Sequence, residues 1–247
     1  MINKVISIGF LAFIGVTSAT MFLIALMILG TTFWFDKKLV MLHQFSSFWA
    51  AMYLWVMPAW TLSVKNRDKV RSGATYVVVS NHQSQLDILI AFRLFFPFKW
   101  VSKAEVFNLP FIGWNMVLNR YIKLYRGDSD SARGMMSKCE DTLAAGNSVY
   151  FFPEGTRSVT GLMKDFKPGA FVLAKKMGVP ILPIAINGTK YALPKNSVDF
   201  HGRHHLRIKV LDEIPYDRFK DMSVEATAEM VREVIAGHID EHLENAA

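Results

Sequence analysis

Asn81-His82-Gln83-Ser84-Gln85-Leu86-Asp87 follows the apolar run Tyr76-Val77-Val78-Val79 and leads into Ile88-Leu89-Ile90. The run reads as a buried strand and the segment after it as a helix, so His82 and Asp87 fall where a strand gives way to a helix. In α/β sheets that junction is a common place for chemistry. An unperturbed imidazole titrates near neutrality, so its neutral form can take the proton of a hydroxyl about to attack a carbon. A carboxylate held against the far ring nitrogen fixes the tautomer and stabilises the imidazolium that forms. If the substrate supplies the hydroxyl, a His/Asp pair is enough for direct acyl transfer, with no enzyme nucleophile. The plainer alternative makes His82 a turn residue and Asp87 an ordinary first-turn acid.

A second stretch, Phe151-Phe152-Pro153-Glu154-Gly155-Thr156-Arg157-Ser158, also follows an apolar run. It packs an acid, a glycine, a hydroxyl and an arginine into four positions, a composition suited to an anion. Arg157 can grip a phosphate with two parallel hydrogen bonds, and Gly155 lets backbone N–H groups come close.

Together the two stretches resemble the lysophosphatidic acid acyltransferases of the glycerolipid acyltransferase family, whose first motif is N-H-x4-D and whose third is F-P-E-G-T-R-S. Both are matched without a gap, about 70 residues apart, and the resemblance runs from roughly Val64 to Leu211. The family's second motif is similar to Lys103, Pro110-Phe111-Ile112-Gly113 and Arg126, and its fourth to Val179-Pro180-Ile181-Leu182-Pro183. One departure is visible: a small residue commonly precedes the distal arginine by a few positions, and here the region reads Asn119-Arg120-Tyr121. The resemblance implies that His82 and Asp87 are catalytic. It places Lys103, Arg126, Glu154, Gly155, Thr156 and Arg157 at the acceptor, with Lys167 a weaker candidate.

The whole chain fits this picture. Its 247 residues suffice for one sizeable α/β domain plus an appendage. Hydrophobic residues make up 51 % and the mean hydropathy is +0.22, which points to a membrane contact. The formal charge of +7 comes without zinc-finger spacing, an RNA-binding aromatic signature or a basic low-complexity arm, so nucleic acid is not expected as a partner. Anionic headgroups, a phosphorylated substrate and an acidic acyl carrier account for it better. The single Cys139 has no internal disulfide partner and lies within a helical pattern, where it reads as packed.

Between Lys4 and Asp36 no charged residue occurs, a run of about 31 that covers roughly 46 Å as a helix, more than a bilayer core needs. A second uncharged run, Leu39 to Val64, is interrupted by His43, Gln44, Ser46 and Ser47 and crowded with Trp49, Tyr53, Trp55 and Trp60, which prefer a headgroup boundary. Residues 1–64 are therefore expected as a two-helix membrane hairpin, its second helix shallower. Residues 65–247 are expected as the acyltransferase α/β domain. The basic stretch Lys65-Asn66-Arg67-Asp68-Lys69 argues that this domain lies on the cytoplasmic face.

From Val64 the pattern alternates strands near Ala74–Ser80, Lys99–Ser102, Tyr121–Tyr125, Ser148–Phe152, Ile181–Asn187 and Leu206–Leu211 with helices near Asp87–Phe95, Ser131–Ala144 and Gly169–Met177. This predicts a largely parallel sheet flanked by helices. Asp128-Ser129-Asp130-Ser131 marks a helix start, Gly146 a stop, and a last amphipathic helix is expected over Ser223–Leu243.

Metal chemistry is weakly signalled. His238-Ile239-Asp240-Glu241-His242 matches H-x-x-E-H in spelling, but a solvated helix face explains it better. His201, His204 and His205 read as a basic surface turn. No G-x-S-x-G elbow is present, which argues against a serine hydrolase. Asn187-Gly188-Thr189 is a glycosylation sequon by spelling only. The resemblance implies no metal and no prosthetic group: acyl-coenzyme A or acyl carrier protein would be a substrate. It implies acyl transfer to lysophosphatidic acid at a bilayer. The alternatives are another lysolipid acceptor, such as a lyso-ornithine lipid, and a non-catalytic lipid-binding membrane protein.

Overall fold

The computed structural model describes residues 2–158, 162–195, 197 and 202–239. Helix α1 (Ile2–Thr32) and helix α2 (Val40–Val56) form an antiparallel pair, joined by a turn in which both oxygens of Asp36 accept from the first N–H groups of α2. Strand β1 (Trp60–Lys65) follows, and then β2 (Val77–Ser80), α3 (Leu86–Phe92), β3 (Phe98–Lys103), α4 (Ile112–Leu118) and β4 (Ile122–Leu124). The second half contains α5 (Ser129–Ala144), β5 (Ser148–Phe151), α6 (Gly169–Met177), β6 (Ile181–Asn187), α7 (Thr189–Ala192), β7 (His204–Val210) and α8 (Val224–Ala236).

The seven strands form one sheet in the order β1-β7-β6-β2-β5-β3-β4. The β6–β7 pairing is antiparallel and the other strand pairings are parallel. The expected mixed, largely parallel sheet flanked by helices is what forms. Central strands bury both faces, as crossover helices require. On β2, Val78 joins the apolar layer containing α2 and α3, while Val77 and Val79 join the layer of α5, α6 and α8. The buried Cys139 belongs to the second layer, where burial pushes its thiol up to about 12. Asp128 caps α5 by accepting from the N–H groups of Asp130 and Ser131, and Gly146 leaves the helix at φ 73°.

The second half of the expected hairpin is different. Its helix stops at Val56, and Trp60–Lys65, of which Trp60 to Val64 were expected within the hairpin, pairs with β7 as an edge strand. Trp60-Thr61-Leu62-Ser63-Val64-Lys65 alternates apolar and polar residues, a strand period rather than a helical one. The polar residues of α2 face the domain. His43 Nδ1 and Tyr121 Oη lie 2.9 Å apart, Gln44 donates to the Phe95 carbonyl, and Ser46 Oγ accepts from Asn115 and Asn119. Asn119 and Tyr121, the residues of the departing segment, are thus buried against α2.

Helix α1 packs on this layer through Phe10 and Phe13 against Tyr53, and through Phe22 against Phe111 and Trp114. Its other side exposes Ile8, Val16, Leu23 and Met27. Within it, Ile6–Thr32 has a mean hydropathy of 2.3 and is long and apolar enough to cross a membrane. The last expected helix ends at Ala236, Gly237 to Ile239 leave it in a turn, and Asp240, Glu241 and His242 of the H-x-x-E-H spelling lie outside the described residues. So does His201. His205 spends both ring nitrogens on Thr61 and Ser63 of β1, which ties the edge strand β1 to β7.

Candidate active site

The candidate residues collect at one edge of the sheet, where β2, β5, β3 and β4 end. This is the side on which α/β sheets bind ligands. Asn81, just past β2, is fully buried. Its amide donates to the Ile186 carbonyl and its Oδ1 accepts from Ile186 N–H, so the loop is clamped to β6. His82 Nδ1 lies 2.9 Å from Asp87 Oδ2. The carboxylate can only accept, so Nδ1 carries the proton and Nε2 presents its lone pair. The His82 side chain is 14 % exposed and that of Asp87 is 0 % exposed, so the pair has one open face.

Asp87 is bound from four directions. Oδ2 also accepts from the N–H groups of Gln83 (2.6 Å) and Ser84 (2.8 Å), while Oδ1 accepts from Thr189 Oγ1 at 2.5 Å. These donors stabilise the ionised carboxylate that the imidazole needs. The His82 ring stacks on Phe152, with centroids 3.9 Å apart and planes at 16°, and Phe152 stacks in turn on Trp100. Both degrees of freedom of the imidazole, rotation and tilt, are therefore restrained.

The second stretch closes against the first. Ser158 N–H donates to the His82 carbonyl, and Glu154 Oε1 accepts from His82 N–H at 2.7 Å. Glu154 Oε2 accepts from Lys164 N–H, so both carboxylate oxygens are engaged by backbone. Burial pushes the Glu154 carboxyl above its usual range, a shift that those two N–H bonds oppose. Gly155 takes φ 71°, and a Cβ there would stand 2.8 Å from Lys167 Cε. Lys167 thus crosses the turn, its N–H bonded to the Pro153 carbonyl.

The cations form a row. Arg157 follows β5, next to β2, and its carbonyl accepts from Lys195 Nζ. Lys103 ends β3 and Arg126 follows β4, two and three strands from β2, or roughly 10 and 14 Å at ~4.8 Å per strand. Lys103 pairs with Glu105 at 2.9 Å in an exposed contact, and Arg126 lies close enough to act electrostatically on the same carboxylate. Thr156 sits half-buried between Gly155 and Arg157. The structure therefore brings His82, Asp87, Glu154, Gly155, Thr156 and Arg157 together, with Lys103 and Arg126 at the outer end.

The acyltransferase family model matches residues 61–187, a span that contains both motif stretches and the strands that carry them. A 1-acyl-sn-glycerol-3-phosphate acyltransferase of Chlamydomonas reinhardtii is 33 % identical over 233 residues, covering 94 % of this chain and 70 % of that protein. The chain belongs to the acyltransferase family. A chloroplastic 1-acyl-sn-glycerol-3-phosphate acyltransferase of Arabidopsis thaliana is 38 % identical over 77 % of this acyltransferase and 54 % of its own length. The chain spans about half the length of that relative and of one from Brassica napus. The crystal structure of the acyltransferase PlsC from Thermotoga maritima shares the fold, with a TM-score of 0.78 at 23 % identity, over 96 % of this chain and 94 % of that one.

Four contributors to this acyltransferase site escape a reading of the sequence. Phe152 and Asn81 stand in the sequence only as letters of the two motif stretches. Lys164 contributes a backbone N–H, which no side-chain pattern can signal. Thr189 lies 102 residues from Asp87 and stands in a stretch legible only as a glycosylation spelling.

Proposed function

We propose that this acyltransferase moves a fatty acyl group from acyl-coenzyme A or acyl carrier protein to the sn-2 hydroxyl of lysophosphatidic acid, giving phosphatidic acid. The observation that carries the reading is the His82–Asp87 pair, held at 2.9 Å through Nδ1, with His82 the partly exposed partner. Nε2 takes the proton of the glycerol hydroxyl as its oxygen attacks the thioester carbonyl. The tetrahedral intermediate expels the thiolate, which recovers the proton from the imidazolium. Asp87 stabilises that cation, and general-base assistance of this kind contributes on the order of 10²–10⁴ in rate. The reaction draws on no resident metal or prosthetic group, since the thioester arrives as a substrate.

Arg157 grips the acceptor phosphate, its neighbour Ser158 being bonded through its N–H to the His82 carbonyl, and Arg126 and Lys103 reach in along the edge. Gly155 and Thr156 shape the anion-binding turn, while Glu154 holds the backbone of His82. Helix α1 anchors the enzyme at a bilayer that holds acceptor and acyl chain, with the catalytic domain on the cytoplasmic face. Supporting the acceptor assignment, the Chlamydomonas and Arabidopsis relatives carry names that specify acyl-glycerol phosphate.

A second reading, another lysolipid acceptor, draws on Arg120. It stands exposed at φ 56°, an extra cation beside β4. Competition between lysophosphatidic acid, a lyso-ornithine lipid and a lysophospholipid with a larger headgroup separates the two. Preference for lysophosphatidic acid supports the first reading, and preference for either of the others replaces it.

A further inference from the structure

We propose that Thr189 is a positioning residue of the catalytic pair, setting the carboxylate plane of Asp87 so that its other oxygen meets His82 Nδ1. The inference rests on the His82/Asp87 reading above. Its basis is the distribution of donors round Asp87. Three of them, His82 Nδ1 and the N–H groups of Gln83 and Ser84, converge on Oδ2 and belong to the same loop as Asp87. A carboxylate held at one oxygen by its own loop can still turn about the Cβ–Cγ bond, which is a broad torsion. Thr189 Oγ1 pins the other oxygen at 2.5 Å, and it does so from the segment that follows β6, the strand beside β2.

The donor is itself fixed. Thr189 is fully buried, and β-branching restricts its χ1. It opens α7 directly after Gly188, which turns the chain at φ 85°. A Cβ on Gly188 would lie 2.2 Å from the His205 carbonyl oxygen, so the turn is pressed against β7. The other end of the short helix is tied to the catalytic loop as well, since Ser84 Oγ donates to the Leu193 carbonyl at 2.7 Å. With the Asn81 amide bonded to Ile186 on both sides, the segment from β6 through α7 forms a rigid wall behind the His82–Asp87 loop. A misplaced imidazole costs rate rather than substrate affinity, because the Thr189 side chain is closed off from the surface.

The test compares Thr189→Val, which keeps the shape and removes the donor, with Thr189→Ser, which keeps the donor, in the purified full chain. His82→Ala is run alongside. Thr189→Val is expected to lower kcat about tenfold to a hundredfold, with both KM values changed by less than about threefold. Losing the hydroxyl leaves more of the Asp87 charge facing the imidazole, so the acid limb of the kcat/KM profile should move to higher pH. The other titratable groups round the pair are Glu154, bonded to the His82 backbone, and the buried Tyr150 phenol within electrostatic range of Asp87. Neither is altered, so the displacement reports on Asp87. Thr189→Ser should return rate and profile close to the wild type.

A Thr189→Val enzyme with lowered Tm but wild-type kcat and pH profile, assayed well below its Tm, would reduce Thr189 to a stabilising contact and overturn the inference. Should that variant not fold, Thr189→Ala and Thr189→Ser are read by the same two criteria. If His82→Ala keeps wild-type turnover, the catalytic-pair reading fails and this inference with it. If His82→Ala is inactive while Thr189→Val is normal, the inference alone fails.

Discussion

Glu154 holds the backbone of His82: its Oε1 accepts from the His82 N–H at 2.7 Å, while Oε2 accepts from Lys164 N–H. The acid of the third motif thus latches the loop after β2 to Lys164, which precedes α6. It is 3 % exposed, and burial raises its pKa above the ordinary carboxylate value. A raised folded-state pKa gives a contribution to stability that is fully present below the unfolded value and lost as pH rises through the folded one. Glu154→Gln removes that titration but turns an NH2 group toward one N–H donor. Relative to the wild type it should therefore be least stable at low pH and gain as pH rises past the usual carboxylate range. Denaturant unfolding of both proteins, from the ordinary carboxylate range upward in pH, checks the direction.

Asp87→Asn keeps the size of the side chain, and the Gln83 and Ser84 N–H groups hold its amide oxygen at the place of Oδ2, so Nδ1 keeps an acceptor but the negative charge that stabilises the imidazolium is gone. We expect kcat to fall about 10²–10⁴-fold with little change in acceptor binding, by analogy with the aspartate of a hydrolytic triad. Steady-state rates beside equilibrium binding of lysophosphatidic acid separate the two effects.

Arg157→Ala should raise the acceptor KM about tenfold or more while leaving the KM for the acyl donor near its wild-type value. Arg157→Lys keeps the charge and loses the fork, so it should recover only part of the loss. Because Lys103 and Arg126 stand further along the edge, their alanine variants are expected to have smaller effects on the same constant.

Two motif glycines differ in what surrounds them. A Cβ on Gly113 would meet the Phe107 carbonyl oxygen at 2.4 Å, which is backbone, whereas one on Gly155 would meet the flexible end of Lys167. Gly155→Ala should cost about 1 kcal/mol for its positive φ and displace Lys167, and Gly113→Ala should cost more, because α4 must move off the preceding turn. Tm values of the two variants give the order.

The candidate site is legible in the sequence because it is local. His82 and Asp87 lie on one loop after an unmistakable β2, and Glu154 to Arg157 follow β5 in the same way. The parallel sheet was legible too, since β2, β5 and β6 are continuous apolar runs with helical segments between them. Strand β1 was obscured by its neighbour: Trp60 to Lys65 alternates in period two, but it directly follows the aromatic helix α2, and the joint run looked uniform. The polar residues of α2 pointed correctly to a helix unlike α1, yet their partners, Tyr121, Asn115 and Asn119, are distant in sequence. Thr189 shows the same difficulty most sharply, because a hydroxyl is visible in sequence and the carboxylate it meets is not.

The most direct measurement is transfer of labelled acyl groups from acyl-coenzyme A, and separately from acyl carrier protein, to lysophosphatidic acid by the purified full chain and by His82→Ala. The wild type should form labelled phosphatidic acid, and His82→Ala should lose about 10²-fold or more of that rate while still binding the acceptor. Phosphatidic acid formed by His82→Ala at the wild-type rate would contradict the mechanism at its centre.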